Sequence, residues 1–433
     1  MFRYIYIVLL LTTSVLSAQN KLTMEEAVKK ALENNYNIRI AQNEINIHTA
    51  NNTAGNAGML PQVSLNFGQA YNINNTRQEF FSGDIREGDH VKTTNTNANI
   101  LANWTLFDGM KMFTNREILR EYEDKGMVNL RLQMENTVTK VMDTYLMIEY
   151  QKKRIETIRE AIGISQERLN LATLRRDIGT GSGMDVLQAQ VDINADSSAL
   201  INQLLVLKNL KVGLNNLMIA NPDSDFETTT PSAFPLAGID ELMTHAAGRN
   251  KMLQLADKNI LLANLSLDQW KANQYPELDL NTGYNFSRMN AEIGILKFNQ
   301  NTGFSLGLTG RWNLFNGFNN KREIQVAKLN IENQKLLKEQ VWTDMKSDIY
   351  ASYNLFTNAN SMMVQEDKNI AIARQYLGIA QEKMRIGTIT SIELRQAQVN
   401  LIDAEFRKIS AENDSKRAML ELMRLSGSLL QDF

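Results

Sequence analysis

The chain has no cysteine and only five prolines among 433 residues. Without cysteine, disulfides and a lipidated N-terminal cysteine are both excluded. Histidine is nearly as scarce: His48, His90 and His245 share no metal-ligand spacing, so neither a metal nor another cofactor is expected. Charge of one sign is missing too, since 46 basic residues face 48 acidic ones, and nothing suggests a nucleic-acid footprint. Long apolar runs are confined to the start, where Arg3 precedes a stretch from Tyr4 to Leu16 that ends at Leu16-Ser17-Ala18. A spanning helix wants about 20 apolar residues. This shorter run reads as a signal peptide, 1–18, which makes the chain an exported one. Catalytic constellations are absent as well. The glycine-rich Gly179-Thr180-Gly181-Ser182-Gly183 has no strand before it and no lysine after it, so it is not a phosphate-binding loop, and no enzyme is expected.

What the chain does contain, it contains twice. The segment Ile178-Gly179-Thr180 recurs 208 positions later as Ile386-Gly387-Thr388, and Trp104-Thr105-Leu106-Phe107-Asp108-Gly109 returns as Trp312-Asn313-Leu314-Phe315-Asn316-Gly317. A repeat this long implies two pseudo-equivalent halves, since solenoid units run about 20 to 50 residues. The first half is read as 19–220 and the second as 239–427, with a C-terminal tail at 428–433. Pro61 and Pro276 hold matching places in the halves, and Pro222, Pro231 and Pro235 mark a connector at 221–238. The proline-free remainder can hold very long helices, because an interior proline costs about 3 kcal/mol.

Those helices are expected at about 109–178, 184–219, 317–386 and 391–426. Stepping by seven from Met134 gives Val141, Ile148, Ile155, Ile162 and Leu169; stepping from Trp342 gives Ile349, Phe356, Met363, Ile370 and Leu377. The arm after the first turn keeps the same period from Val186 to Leu214, whereas the second meets Lys408 and Ser415 after Leu394 and Leu401. Sustained heptads argue for coiled-coil packing. At ~1.5 Å per residue, 70 residues make roughly 100 Å of helix.

Between the helices lie four segments of period two, at about 62–73, 94–107, 277–287 and 303–315. Val63, Leu65 and Phe67 alternate with Ser64, Asn66 and Gly68; Phe304, Leu306 and Leu308 alternate with Ser305, Gly307 and Thr309. About ten residues of alternating polarity with an aromatic near one end is the pattern of a transmembrane β-strand. The polar stretches Asn74 to Thr93 and about Arg288 to Gly303 are expected as extracellular loops. Four strands cannot close a barrel, whose minimum is about eight, and open edges in lipid are costly, so the chain must oligomerise. Two copies would supply eight strands and three would supply twelve.

The signal peptide, the duplicated helix–hairpin–helix order, the proline at the helix-to-strand joint, Trp-x-Leu-Phe-[Asp/Asn]-Gly at the strand-to-helix joint and the repeated Ile-Gly-Thr tip together resemble the TolC-like outer-membrane efflux proteins. The resemblance covers Leu22 to Gly427. It implies an α+β membrane protein built of duplicated coiled-coil hairpins forming an α-barrel, with four transmembrane strands per chain in a twelve-stranded β-barrel. It also implies a homotrimer seated in outer-membrane lipid and reaching into the periplasm. There it would meet a periplasmic adaptor (membrane fusion) protein and an inner-membrane transporter of the RND, ABC or MFS type. Such a protein is a passive export duct of a tripartite pump or type I secretion system. A non-transporting, envelope-spanning coiled coil is the alternative. On the family's pattern the tips Gly179, Thr180, Gly181 and Ser182, and Gly387, Thr388, Ile389 and Thr390, dock the adaptor. Glu393 takes the place of a lumen-facing acid that favours cations, Gln396 that of a second, and Asp185 fills the equivalent first-half slot, where it could also cap the following helix. Met384 and Ile389 stand where the archetype has partners of a charged lock, so a lock of that design is absent.

Overall fold

The computed structural model describes residues 21–230 and 238–431; the signal-peptide reading of 1–18, part of the connector and the end of the tail lie outside the described residues. The described residues form two compact units, one from those within Met1–Ile40, Arg131–Lys251 and Trp342–Phe433, the other from Ala41–Leu130 and Met252–Val341.

In chain order the first half contains β1 (Lys21–Leu22), α1 (Met24–Asn34), α2 (Tyr36–Asn51), β2 (Gln62–Glu79), β3 (Ile85–Phe107), α3 (Lys111–Asp177) and α4 (Gly183–Leu217). After β4 (Glu227–Thr228), the second half repeats the plan as α5 (Ile239–Arg249), α6 (Lys251–Ala272), β5 (Glu277–Ala291), β6 (Phe298–Arg311), α7 (Asn319–Ile386) and α8 (Ser391–Ser426). A short 3₁₀ turn, Leu429–Gln431, follows, and Leu429 is fully buried, so this part of the tail belongs to the core.

The core of the first unit forms where the heptads of α3 meet α1. Val141, Ile148 and Tyr145 are fully buried there against Val28, Ala31, Leu214 and Leu420. Tyr145 anchors this core: its hydroxyl lies 2.8 Å from the Leu22 carbonyl and accepts from the Thr229 amide at 2.8 Å, tying β1 and the residue after β4 to α3. Helix α1 starts at a capping box, in which Thr23 and Glu26 exchange hydrogen bonds. The duplication reappears as duplicated contacts. Asn35, ending α1, donates to the Leu217 carbonyl at 3.2 Å, and Asn250, ending α5, donates to the Leu425 carbonyl at 2.9 Å.

Where the heptads of α8 meet Lys408 and Ser415, polar pairs take over. Lys408 pairs with Asp367 and Ser415 donates to Asn360 of α7. The buried stripe of α8 runs instead through Ala397, Ala404, Ala411, Ala418 and Leu425, a heptad of alanines. Small side chains let the helix backbones approach closely.

Glu135 is an anomaly in this core. Only 2% exposed, it has its carboxyl pushed up to about 6 by burial, with Lys251 and Arg424 pulling the other way. Its folded value lies above the ordinary one, so the stability it contributes is fully present below about pH 4.5 and is lost as pH rises through 6. Glu135→Gln removes that dependence. Denaturant titrations should find the variant more stable by about 2 kcal/mol at pH 7.5, with little difference at pH 4.5; equal gains at both would mean that ionisation of Glu135 is not the cause.

In the second unit the strands form one antiparallel sheet of order β2-β3-β5-β6, in which β3–β5 pairing joins the two halves. One face carries rows of apolar residues running across all four strands, such as Leu65–Ile100–Tyr284–Phe304. The outer strands β2 and β6 each pair on one side only. Two expectations need correction here. Asn74 to Thr93 is not a loop: the ladder continues to Glu79–Ile85, leaving only a tight turn around Ser82 and Gly83. Likewise β5 continues to Ala291 and β6 begins at Phe298, while β6 ends at Arg311, short of the expected 315. Beyond the apolar band neither face needs apolar residues, so the pairing persists where the alternation fades.

The repeated tryptophans fasten the joints of this unit. Trp104 Nε1 donates to the Met59 carbonyl at 2.9 Å and Trp312 Nε1 to the Gln274 carbonyl at 3.0 Å, in each case two residues before the proline that opens the strand pair. Strand entry and strand exit are thereby clamped together.

Candidate docking tip and pore entrance

Both helical turns end the same way. Gly179 (φ +80°) and Gly387 (φ +83°) adopt the left-handed conformation, and the amides that follow fold back onto the helices, Thr180 onto the Arg175 carbonyl at 2.8 Å and Thr388 onto that of Lys383 at 2.9 Å. This is the glycine-dependent stop of a long helix. The next helices start at once. Ser182 caps α4 by accepting from the Met184 amide, and Thr390 caps α8. Around the turns the surface is apolar, with Ile178, Met184, Ile386 and Ile392 all more than 60% exposed.

Arg175 brings the two tips together. Its guanidinium reaches the Met384 carbonyl and the Thr180 carbonyl, each at 3.4 Å, and lies where a Cβ on Gly387 would come within 3.2 Å of Nη2. Gly181 is equally committed, since a Cβ there would stand 2.8 Å from Arg175 Cβ. Ile389 packs on the small core of Leu377, Ala380, Met384, Leu394 and Ala397.

Glu393 is exposed and takes part in the cap. Its Oε2 accepts from the Thr390 amide at 2.7 Å and hydroxyl at 2.9 Å, and those two bonds, backbone first, hold its carboxyl below the usual range. It therefore stays ionised at any physiological pH. Gln396, also exposed, donates to Asn400 at 2.9 Å. Asp185 lies in the first turn of α4, whose side-chain cap is Ser182. No hydrogen bond or ion pair among the described residues links Asp185 to Glu393 or Gln396.

Just inside the tips is a polar cluster that the sequence did not reveal. Arg395 of α8 grips Asp196 of α4 with two bonds of 2.8 Å and reaches Ser165 of α3. Gln398, fully buried, donates to the Ala161 carbonyl at 2.7 Å and to Ser165 at 2.8 Å. Arg168, 1% exposed, pairs with Asp192 and reaches the Ser391 carbonyl. Burial pushes the Asp196 carboxyl up, but the bonds from Arg395 and Ser165 outweigh it and hold the group below its ordinary value. Three helices are thus joined by partly buried, charge-assisted bonds. This set of charges ties the two hairpins of the chain to each other.

The model of one family, described as outer membrane efflux protein, matches residues 27–218 and 242–428. The chain belongs to the outer membrane efflux protein family. The family is one of outer-membrane efflux conduits rather than of enzymes. Among curated relatives, the outer membrane efflux protein BepC of Brucella suis biovar 1 is 22% identical over 426 residues, covering 98% of this chain and 90% of BepC. Among solved structures, the outer-membrane channel OprN shares the fold with a TM-score of 0.78 at 16% identity, covering 94% of this chain and 90% of OprN. The outer membrane protein VceC of Vibrio cholerae gives 0.76 at 13% identity, over 93% and 96% of the two chains.

Proposed function

We propose that three copies of this chain close a twelve-stranded barrel in the outer membrane and continue as a helical tunnel into the periplasm, forming a passive export duct. The duct serves a tripartite efflux pump or a type I secretion system, and its tips at Gly179–Ser182 and 387–390 dock onto a periplasmic adaptor coupled to an inner-membrane transporter.

The observation that carries this reading is the unfinished surface of the single chain. Its sheet has an exposed apolar face and two bare edges, which in lipid would leave backbone groups unpaired. The helices are unfinished in the same way. A second heptad stripe on α4, including Met184, Val191 and Leu205, is exposed, and so is one on α7 through Ile372, Ile379 and Ile386. Neighbouring copies would cover these stripes as coiled-coil seams.

Within the duct, three copies of Glu393 form a negative ring at the periplasmic entrance, attracting cations and repelling anions. Gln396 adds no charge there, and Asp185 supplies its charge from the matching turn of the first hairpin. Light scattering of the detergent-purified protein should report a trimer, and planar bilayers a small cation-selective conductance that becomes less selective in Glu393→Gln. A monomeric, non-conducting rod would sink the duct and favour the structural coiled coil; unchanged selectivity in the variant would remove Glu393 from the entrance.

A further inference from the structure

Asparagine is a poor strand former, because its side chain competes for backbone hydrogen bonds. Yet the face of the sheet opposite the apolar rows is built on it. Strand β3 places Asn95, Asn97, Asn99 and Asn103 on that face. Register carries the pattern across the strands, in rows such as Asn66–Asn99–Asn285–Gly303 and Gly68–Asn97–Ser287–Asn301. From the row Gln62–Asn103–Asn281–Gly307 to the row Ala70–Asn95–Met289–Asn299, five rows contain no charged residue.

The amides brace one another across the strands. Asn66 Nδ2 donates to Asn99 Oδ1 at 2.9 Å, Asn281 to Thr309 at 3.1 Å, and Asn285 to Ser305 at 3.2 Å. Threonine would give a wet face with better strand propensity. What an amide adds is a donor and an acceptor on one dipole with no net charge. Charges lie outside these five rows: Arg77, Glu79, Arg86 and Glu87 on the far extension of β2 and β3, and Asp279, Glu277 and Arg311 at the end where the strands meet the helices. Asp279 accepts from the Thr105 hydroxyl at 2.8 Å, and Glu277 stands in register with Arg311.

We propose that the barrel section is a charge-neutral, amide-lined passage that adds no discrimination by charge, so that ion selectivity is set wholly in the helical section. The proposal rests on the reading of the chain as a duct with this face turned to the lumen. An exit of that kind passes cargo of either sign once the entrance has admitted it.

The test is the reversal potential of single channels in a KCl gradient at low ionic strength, where the Debye length of about 30 Å at 0.01 M lets a wall charge be felt. Asn66→Asp should shift the potential toward cation selectivity and Asn66→Lys toward anion selectivity, while Asp279→Asn leaves it where the unmodified protein has it. Asn285→Asp, in the same row on another strand, repeats the measurement if an Asn66 variant fails to assemble. No shift with either introduced charge would show that the amide face is off the ion path, and a shift with Asp279→Asn would show that the barrel already selects by charge; either overturns the proposal. An unmodified protein that conducts no ions at all overturns the duct reading itself, and the proposal with it.

Discussion

Asp192→Ala is expected to lower the unfolding free energy by about 3–5 kcal/mol, the usual consequence of removing one partner of a buried ion pair. The guanidinium of Arg168 is 1% exposed, and its Nε already lacks a partner. Among the described residues Asp192 is the carboxylate its guanidinium bonds, while Asp196, held in both bonds by Arg395, attracts it only at longer range. Without Asp192 the buried guanidinium would keep one hydrogen bond, to the Ser391 carbonyl at 3.5 Å, and the longer-range attraction of Asp196. Replacing both partners by apolar residues of similar volume, Arg168→Met with Asp192→Leu, should recover most of the loss, since the penalty comes from the stranded charge. Denaturant unfolding of the detergent-solubilised protein, followed by helical circular dichroism, would measure both. A single variant as stable as the parent would mean that Arg168 finds water or another carboxylate.

Gly109→Ala is expected to be far more damaging than the same change at its repeat partner, Gly317. Both glycines open a long helix after a strand with positive φ, +72° and +66°. The left-handed conformation costs alanine about 1–2 kcal/mol in either place. At Gly109, however, a Cβ would stand 2.3 Å from the Ala272 carbonyl oxygen and 2.9 Å from Tyr275 Cβ, whereas at Gly317 it meets nothing within 4 Å. Backbone is the obstacle at Gly109, so the start of α3 has to move, and the Trp104 clamp onto Met59 moves with it. The yield of folded, heat-modifiable assembly should drop sharply for Gly109→Ala and only slightly for Gly317→Ala. Equal yields would show that the joint can relax.

Periodicity made much of this architecture legible, because burial on one face imposes a period of seven on helices and of two on strands. The stripe Val141, Ile148, Ile155 is buried as its spacing demands. The alanine stripe of α8 is faint in the sequence, because alanine carries little hydrophobic signal even at an interval of seven. The ladders run past Asn74 and Arg288 through polar sequence without alternation, which carries no strand signal; there Arg77 and Glu87 pair with each other across the strands at 2.9 Å. At the tip, Thr390-Ser391-Ile392-Glu393 spells a capping box, so that part of Glu393's role was readable. The grip of Arg395 on Asp196 was not readable, since it depends on how α4 and α8 are aligned, and the stripes of each helix do not fix that alignment.

The unequal hairpins have a practical consequence. Strand β3 pairs with β5 only as far as Thr93–Ala291, while the β2–β3 ladder continues to Glu79–Ile85, and Arg86 and Lys92 brace the extension against Gly294 and Glu292. At its crest, Gly83 (φ +86°) turns the chain beside a fully exposed Phe81. If the strands emerge at the cell surface, this crest is the place for a reporter. An epitope inserted between Ser82 and Gly83 sits at the exposed crest of the hairpin, and antibody staining of intact cells would then count copies whose crest faces outward.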